Sequence, residues 1–145
     1  MYEQLKLKHQ LCFKHYVLSK EIIRKYKPLL EPLHLTYTGY ITMLALWEKD
    51  DVSIKELSTT LYLDSGTLTP LLKKLEKQGY IKRKRFKEDE RIVHITVTDN
   101  GYALQEDAKD IPFKLAKRLF KEGALDKQTL LEHKATLDKL LEQFD

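Results

Sequence analysis

The chain has only one cysteine, Cys12, among its 145 residues. A disulfide within one molecule needs two cysteines, so the chain cannot form an internal disulfide framework, and this favours a reducing compartment. No apolar run approaches the roughly 20 residues that cross a bilayer, and the amino-terminal segment is amphipathic rather than a signal peptide. We therefore expect a cytoplasmic protein without a membrane partner, and one thiol whose role has to be explained.

Repeats and low-complexity tracts are also missing, and the excess of positive charge is small. The composition, with 42% hydrophobic and 33% charged residues, suits one compact domain or a domain whose terminal helices pair with another copy. A formal net charge of +4 and a pI of about 9.0 favour a polyanionic partner. Because acidic residues are common along the chain, the position of the cations says more than their number.

Residues 53–79 predict two short helices that are joined by a tight turn. Ser53 precedes Glu56 by three residues, which is the reciprocal capping pattern that satisfies the first amides of a helix. We therefore expect a helix over about residues 54–62. A second helix should begin in the small polar segment 63–67, continue through leucines at helical spacing and end at Gly79.

This second helix has the composition of a DNA recognition helix. Its solvent side is predicted to carry hydroxyl groups and lysines, namely Ser65, Thr67, Thr69, Lys73, Lys74 and Lys77. Pro70 lies in the same helix, and proline is tolerated best in about the first turn, where amides lack partners. Two such helices match a helix-turn-helix, whose second helix enters the major groove of DNA. The alternative is an ordinary amphipathic helix pair.

A charged β-hairpin is predicted directly after Gly79. Residues 80–85 form a β-capable strand, residues 92–97 alternate apolar with polar side chains, and residues 86–91 connect them. The hairpin is rich in cations, namely Lys82, Arg83, Lys84, Arg85, Lys87 and Arg91. Because so many cations repel one another unless an anionic partner lies nearby, we predict contacts with phosphates or with the minor groove. A solvated hairpin is the alternative.

The remaining segments predict helices on both sides of this region. Leucine and isoleucine recur at helical intervals from Leu7 to Ile22, and Pro28 with Pro32 marks the end of a first helix. Further helices are expected at about residues 37–48, 101–121 and 127–144. The predicted fold class is therefore mainly α with a small β-hairpin wing.

The terminal helices carry apolar surface that they would bury best against a symmetry mate. We expect a winged helix-turn-helix homodimer, in which residues 1–35 and 112–145 form dimerisation helices and residues 36–111 form the DNA-binding region of one continuous fold. Two recognition helices related by a two-fold axis would read palindromic half-sites about one helical turn, ~10 bp, apart. The alternative is that the terminal helices fold back on their own domain.

Cys12 shares a predicted helix face with two phenols. At about 100° per residue, Cys12, Tyr16 and Tyr26 fall within one arc, and Tyr37 begins the next helix and could fold back to the same place. Hydroxyl donors that stabilise a thiolate promote its oxidation, so Cys12 is a candidate redox sensor. The alternative is that Cys12 is a small, inert, packed side chain.

Two other roles for Cys12 are disfavoured. His9 and His15 flank it in the sequence, but about 9 Å of helix would separate them, so we expect no metal site and no cofactor. A thiol peroxidase that turns over would need a resolving cysteine, which the chain lacks. The sequence also shows no alternation of strands and helices, so we do not expect an enzyme.

Four segments resemble the MarR family of winged-helix regulators. They are QLCF at residues 10–13, LTY at residues 35–37, LDSGTLTPLLKKLE at residues 63–76 and EDER at residues 88–91. Within that family the chain is similar to the one-cysteine oxidation-sensing branch, which includes organic hydroperoxide resistance regulators and related staphylococcal regulators. The similarity covers nearly the whole chain, weakens after Pro112 and is most specific in the recognition segment.

The resemblance implies a dimeric repressor or global regulator. It implies that Cys12 is the peroxidatic cysteine and that Tyr26 and Tyr37 hydrogen-bond it in the reduced state. It also implies that Arg91 enters the minor groove while Asp89 holds its guanidinium group. The residues that would face bases and phosphates are Ser65, Thr67, Pro70 and Lys74.

The hypothesis that follows is release of DNA on thiol oxidation. An oxidant would convert Cys12 to a sulfenic acid, which would condense with a low-molecular-weight thiol. Lys14 and His15 depart from the pattern, since the hydroperoxide regulator is apolar at these positions, and this leaves the oxidant open. The alternative is a MarR-type regulator that binds a small phenolic ligand between the dimerisation and DNA-binding parts, with Cys12 inert.

Overall fold

The structure is a computed structural model that describes residues 1–86, 88–89, 91–120 and 123–144. In these residues it is mainly helical with one small sheet, which confirms the predicted fold class. The α-helices are α1 (Leu11–Leu30), α2 (Tyr37–Glu48), α3 (Ile54–Leu61), α4 (Ser65–Lys77), α5 (Asp99–Ala108), α6 (Ile111–Leu119) and α7 (Lys127–Leu141), and the strands are β1 (Val52–Ser53), β2 (Ile81–Arg85) and β3 (Val93–Val97). None of the helices in this part of the chain has the length and apolar character needed to span a bilayer.

Side-chain caps fix where the two helices of the helix-turn-helix begin. Glu56 N donates to Ser53 Oγ (3.1 Å) and Ser53 N donates to Glu56 Oε2 (3.0 Å), so the predicted reciprocal cap of α3 is confirmed. Tyr62 ends α3 in the left-handed conformation, with a φ of 52°. Thr67 N donates to Asp64 Oδ1 (2.7 Å), and this cap starts α4. Both helices therefore begin where their capping residues require.

The wing and the helix-turn-helix share one hydrophobic core. The sheet has the order β1-β3-β2, and β2 pairs with β3 as an antiparallel hairpin in which Arg83 lies opposite Ile95. Ile81 and Ile95 are 1% and 0% exposed and pack in the same cluster as Leu57 of α3 and Leu72 of α4. The predicted hairpin is thus confirmed. The apolar side chains on its inner face pack it against the recognition helix.

The first helix begins later than predicted but ends where predicted. Leu7 lies in a separate 3-10 turn, and α1 begins only at Leu11 because Gln10 has an extended backbone. The helix ends at Leu30, between Pro28 in the last turn of α1 and Pro32 in the 3-10 turn that follows, so its predicted end is confirmed. A proline so close to a helix end removes one amide hydrogen bond but leaves the preceding turns intact.

The single helix predicted over residues 101–121 is two helices. The first begins before Gly101, because Gly101 N donates to the capping hydroxyl of Thr98 (3.0 Å). Pro112 has no amide to continue α5, but it lies in the first turn of α6, where an amide would lack a partner anyway. The predicted end of this helix, Lys121, lies outside the described residues.

The two ends of the chain leave much apolar surface exposed. The exposed apolar side chains there include Leu5, Leu7, Leu11, Phe13, Leu18, Leu131, Leu140, Leu141 and Phe144. None of the residues of α7 is buried. By contrast, α6 packs against α1 and buries Ile111 and Leu115. Part of the region predicted for dimerisation therefore packs on its own chain, whereas α7 does not fold back on it.

Candidate nucleic-acid interface and cysteine site

The outer face of α4 carries the predicted DNA-contacting side chains. Leu68, Leu72 and Leu75 bury the inner face at 0%, 0% and 1% exposure. The predicted contact residues Ser65, Thr67, Pro70, Lys73 and Lys74 are exposed, whereas Thr69 is only half-exposed at the edge of this face. Pro70 is the sixth residue of α4, slightly deeper than predicted, because the Asp64 cap starts the helix at Ser65.

The cations of β2 divide between two faces of the hairpin, which the sequence analysis did not predict. Lys82 and Lys84 are exposed, but Arg83 is half-buried and turns towards α4. Its Nε and Nη2 donate to Glu76 Oε1 (3.1 and 2.9 Å), and its backbone N donates to Glu76 Oε2 (3.1 Å). The Arg83 guanidinium thereby holds the pKa of Glu76 below its ordinary value. Arg83 ties the wing to the recognition helix and is not free to contact a phosphate.

The wing tip presents one arginine that an aspartate orients. Arg91 Nε lies 3.1 Å from Asp89 Oδ1, Nη2 lies 3.4 Å from Oδ2, and Arg91 N also donates to Oδ1 (3.0 Å). These contacts lower the pKa of Asp89, so its carboxylate stays ionised. The side chain of Arg91 is 91% exposed. Arg85 is exposed at the end of β2, and Lys87, also predicted to bind DNA, lies outside the described residues.

One chain does not bring Cys12 to Tyr26 and Tyr37. Cys12 is exposed in the first turn of α1, and its neighbour Tyr16 is 61% exposed. Tyr26 lies on the same helix, but it follows Cys12 by 14 positions, which is a rise of about 21 Å. Tyr37 folds back on Tyr26, with ring centroids 4.9 Å apart, and not on Cys12. The expectation that Tyr37 returns to the place of Cys12 is therefore wrong within a single chain.

The tyrosines form a cluster that the sequence analysis described only in part. Tyr40 was missed, although it follows Tyr37 by one helical turn, and its ring centroid lies 5.6 Å from that of Tyr26. Burial raises the pKa of Tyr26 to about 12, and the neighbouring phenols Tyr37 and Tyr40 add to the rise. The phenol of Tyr26 therefore stays protonated at neutral pH and can donate a hydrogen bond.

A cleft of about 630 Å³ lies between α1, the start of α2 and the end of α4. Its floor is apolar, and its rim carries Arg24, Lys27, His34 and Lys74. Gln78 lines it too: its Nε2 donates to His34 O (2.8 Å), while its buried Oε1 has no hydrogen-bond partner in the described residues. No group of three His, Cys, Asp or Glu side chains in those residues is arranged to hold a metal ion.

The chain matches one family of known regulators. The family described as transcriptional regulator SarA/Rot matches residues 24–108. The chain belongs to this family. Its members are transcriptional regulators rather than enzymes, and the family match spans the tyrosine cluster, the helix-turn-helix and the wing. The amino-terminal segment that contains Cys12 lies outside the matched residues.

Two relatives and one solved structure confirm the predicted resemblance to MarR-type regulators. The organic hydroperoxide resistance transcriptional regulator of Bacillus subtilis (strain 168) is 50% identical over 111 residues, which cover 77% of this chain and 76% of the relative. SarZ of Staphylococcus saprophyticus is 44% identical over 135 residues, which cover 93% of this chain and 90% of the relative. The structure of reduced AbfR bound to DNA is 33% identical, with a TM-score of 0.79 over 99% of this chain and 98% of that one.

Proposed function

We propose that this SarA/Rot-family regulator is a homodimeric, cytoplasmic DNA-binding repressor that releases a palindromic operator when Cys12 is oxidised. One observation carries the DNA-binding part. The exposed face of α4 and the exposed guanidinium of Arg91 belong to two elements that the Glu76–Arg83 pair ties together. Reduced AbfR, whose fold matches 99% of this chain, is bound to DNA, and this supports the proposal.

In the proposed complex, residues 36–111 bind DNA through two grooves. The start of α4 enters the major groove, and Arg91 enters the minor groove with its guanidinium held by Asp89. The exposed lysines Lys82 and Lys84 lie on the wing, where they would contact phosphates. The proposed contacts of α4 are Ser65, Thr67, Thr69, Pro70, Lys73 and Lys74, and those of the wing also include Arg85 and Lys87.

The dimer is proposed because the terminal segments leave apolar side chains in water. Burial of apolar surface contributes about 25 cal/mol per Å², so an exposed α7 gains most by packing against a second copy. Residues 1–35 and 112–145 would form that interface. A two-fold axis would then place two copies of α4 about one helical turn of DNA apart, which matches a palindrome with half-sites ~10 bp apart.

A second copy would also complete the cysteine site. Two α1 helices that cross antiparallel around a two-fold axis bring the start of one beside the end of the other. Cys12 would then meet Tyr26 and Tyr37 of the partner subunit, although about 21 Å separates Cys12 from Tyr26 within one chain. In the described residues, the hydroxyls of Tyr26 and Tyr37 make no hydrogen bond, which leaves them able to donate to a thiolate.

The proposed oxidation has two balanced steps. The Cys12 thiolate attacks one peroxide oxygen, the O–O bond breaks, and the leaving alkoxide takes a proton, so that the sulfur becomes a sulfenic acid. A low-molecular-weight thiol then attacks that sulfur, water leaves, and a mixed disulfide forms. The added group would displace the phenols at the dimer interface, and this change would respace the two recognition helices.

The proposal is tested by binding of a labelled duplex before and after oxidation. The probe is the 30-bp sequence that the reduced protein enriches from a random duplex library. Cumene hydroperoxide with free cysteine should release the duplex, and mass spectrometry should find one added cysteine per chain. Binding that persists after complete modification would contradict the release mechanism.

A small phenolic ligand is the second candidate signal, and the cleft beside α4 favours it. The unpartnered Gln78 Oε1 could accept a hydrogen bond from a phenol, and the cations at the rim suit a carboxylate. Salicylate should then raise the melting temperature and weaken DNA binding, while peroxide has no effect. Release of DNA by peroxide, with no effect of salicylate, would instead favour Cys12 as the sensor.

Replacing Arg91 with alanine should weaken binding of the enriched duplex by about 1–3 kcal/mol, the usual value of a specific groove contact. Anisotropy titrations of both proteins measure the difference. Arg91→Lys is the matched control, because it keeps the charge but loses the paired geometry with Asp89. Its affinity should lie between those of the unsubstituted protein and Arg91→Ala. Unchanged binding by Arg91→Ala would remove the wing tip from the interface.

The salt dependence of binding should identify phosphate contacts on α4. Each neutralised phosphate contributes about 0.9 to the slope of log K against log salt concentration. Lys74→Ala should therefore reduce the slope by about 2 for a dimer, since each protomer loses one contact. Lys134→Ala on α7, where Lys134 pairs with Asp138, should leave the slope unchanged. Equal slopes for all three proteins would exclude the Lys74 contact.

A further inference from the structure

His94 lies in the middle strand of the sheet, between Ser53 of β1 and Lys84 of β2. Its neighbour Ile95 points into the core and is 0% exposed. Because side chains alternate along a strand, His94 lies on the outer face, which Lys82 and Lys84 share. The side chain of His94 is nevertheless only 21% exposed, so other groups cover it.

Two groups hold the imidazole in place. Its Nδ1 lies 3.0 Å from Asp51 Oδ1. Its ring also meets the ring of Phe86 edge-on, with centroids 4.4 Å apart and an interplanar angle of 76°. Asp51 stands just before β1, and Phe86 stands just after β2. His94 therefore joins the start of the sheet to the far end of the hairpin.

The Asp51 end of this connection is fixed to the body of the protein. Asp51 N donates to Asp50 Oδ1 (2.8 Å). Asp50 also accepts hydrogen bonds from Val97 N (2.9 Å) and from Tyr102 Oη (2.8 Å). Burial alone would raise the pKa of Asp50, but these hydrogen bonds outweigh it and hold the pKa below its ordinary value. The turn before β1 is therefore anchored to β3 and α5 at neutral pH.

The Phe86 end of the connection is the base of the wing tip. Phe86 N donates to Ile92 O (3.2 Å), and Ile92 N donates to Asp89 O (3.0 Å). Asp89 in turn holds the guanidinium of Arg91. A continuous path of hydrogen bonds and one ring contact thus runs from the anchored turn through His94 to Arg91.

We propose that His94 is a positioning residue for Arg91. With Asp51 and Phe86, it fixes the angle of the wing tip, so that Arg91 is already aimed at the minor groove before DNA binds. The proposal rests on the DNA-binding function proposed above. A protruding two-stranded hairpin can bend, and ordering it on binding would cost free energy. Because His94 limits that bending, it raises affinity without touching DNA.

Two substitutions remove the same hydrogen bond from opposite sides. His94→Phe keeps a ring against Phe86 but cannot bond Asp51. Asp51→Gly removes the carboxylate and suits the local φ of 55°, which glycine adopts without strain. Each should weaken binding of the enriched 30-bp duplex by about three- to tenfold. The double variant should bind no more weakly than either single variant, because the bond is already lost.

The Arg91→Ala background distinguishes positioning from simple support of the sheet. There, both substitutions should change affinity by less than about twofold, because no guanidinium remains to be positioned. Thr96→Val alters the same outer face of β3 without touching the bond, and it should change binding by less than about twofold in either background.

Two outcomes would overturn the proposal. One is an equal loss of affinity with and without Arg91, and the other is full affinity in both His94→Phe and Asp51→Gly. Thermal unfolding of each variant is measured alongside, and if His94→Phe does not fold, Asp51→Gly decides the question. Absence of any duplex binding by the unsubstituted protein would instead refute the proposed DNA-binding function, and the inference would fall with it.

Discussion

Replacement of Cys12 with serine is expected to leave operator affinity unchanged and to abolish release by peroxide. Serine is close to cysteine in size and fits the exposed first turn of α1, but its hydroxyl cannot form a sulfenic acid. In the unsubstituted protein, peroxide with free cysteine should lower affinity by at least about tenfold, or about 1.4 kcal/mol. Anisotropy titrations of both proteins before and after oxidation measure the effect.

The competing explanation is oxidation of another side chain. Met43 is 0% exposed, so it is protected, and Met1 is the other methionine in the chain. Mass spectrometry should find one added cysteine per unsubstituted chain and none on Cys12→Ser. If the serine variant still releases DNA, the sensor lies elsewhere and the role proposed for Cys12 is refuted.

Gly101→Ala is expected to destabilise the fold by more than about 3 kcal/mol. A Cβ atom at Gly101 would lie 2.1 Å from Tyr80 O and 2.7 Å from Val97 Cγ1. The backbone cannot shift to make room, because Gly101 N donates to Thr98 Oγ1 (3.0 Å) and Gly101 O accepts from Trp47 Nε1 (3.0 Å). The melting temperature should fall by about 10 °C.

Gly66→Ala is the matched control for Gly101→Ala. A Cβ atom at Gly66 would meet one side-chain oxygen, Asp64 Oδ1, at 3.2 Å, and alanine is favoured over glycine in a helix by about 1 kcal/mol. The close contact and the gain in helix propensity oppose each other, so the free energy of unfolding of Gly66→Ala should change little. Urea unfolding of both variants measures the difference. A Gly101→Ala protein within about 1 kcal/mol of the unsubstituted protein would contradict the close approach of α5 to Tyr80 and β3.

Local chemistry made much of the fold predictable. The Ser53–Glu56 pair and the polar start of α4 determine helix ends through side chains only three residues away, so the sequence alone was enough. The failures have local causes as well. The interruption between α5 and α6 follows from Pro112, which has no amide hydrogen to continue a helix. The prediction of a single helix there took no account of this proline. The late start of α1 depends on the extended backbone of Gln10, which periodicity does not reveal.

Long-range pairing limited what could be predicted of the site. The sequence predicts that β2 is cationic, but which cation turns inward depends on the acid that faces it across the fold. Glu76 lies seven residues from Arg83, and only the packing of α4 on β2 brings them together. Similarly, helical periodicity correctly placed Cys12 and Tyr26 on one helix, but it describes only the face of a helix and not the rise of about 21 Å that separates them along its axis. Their meeting through a second chain is therefore a proposal.

Selection of duplexes from a random library by the reduced protein tests the central claim most directly. A two-fold assembly with one recognition helix and one wing per protomer should enrich an inverted repeat with half-site centres about 10 bp apart. Two chains should bind each duplex. Enrichment of a single asymmetric site by one chain, or no enrichment at low ionic strength, would contradict the account.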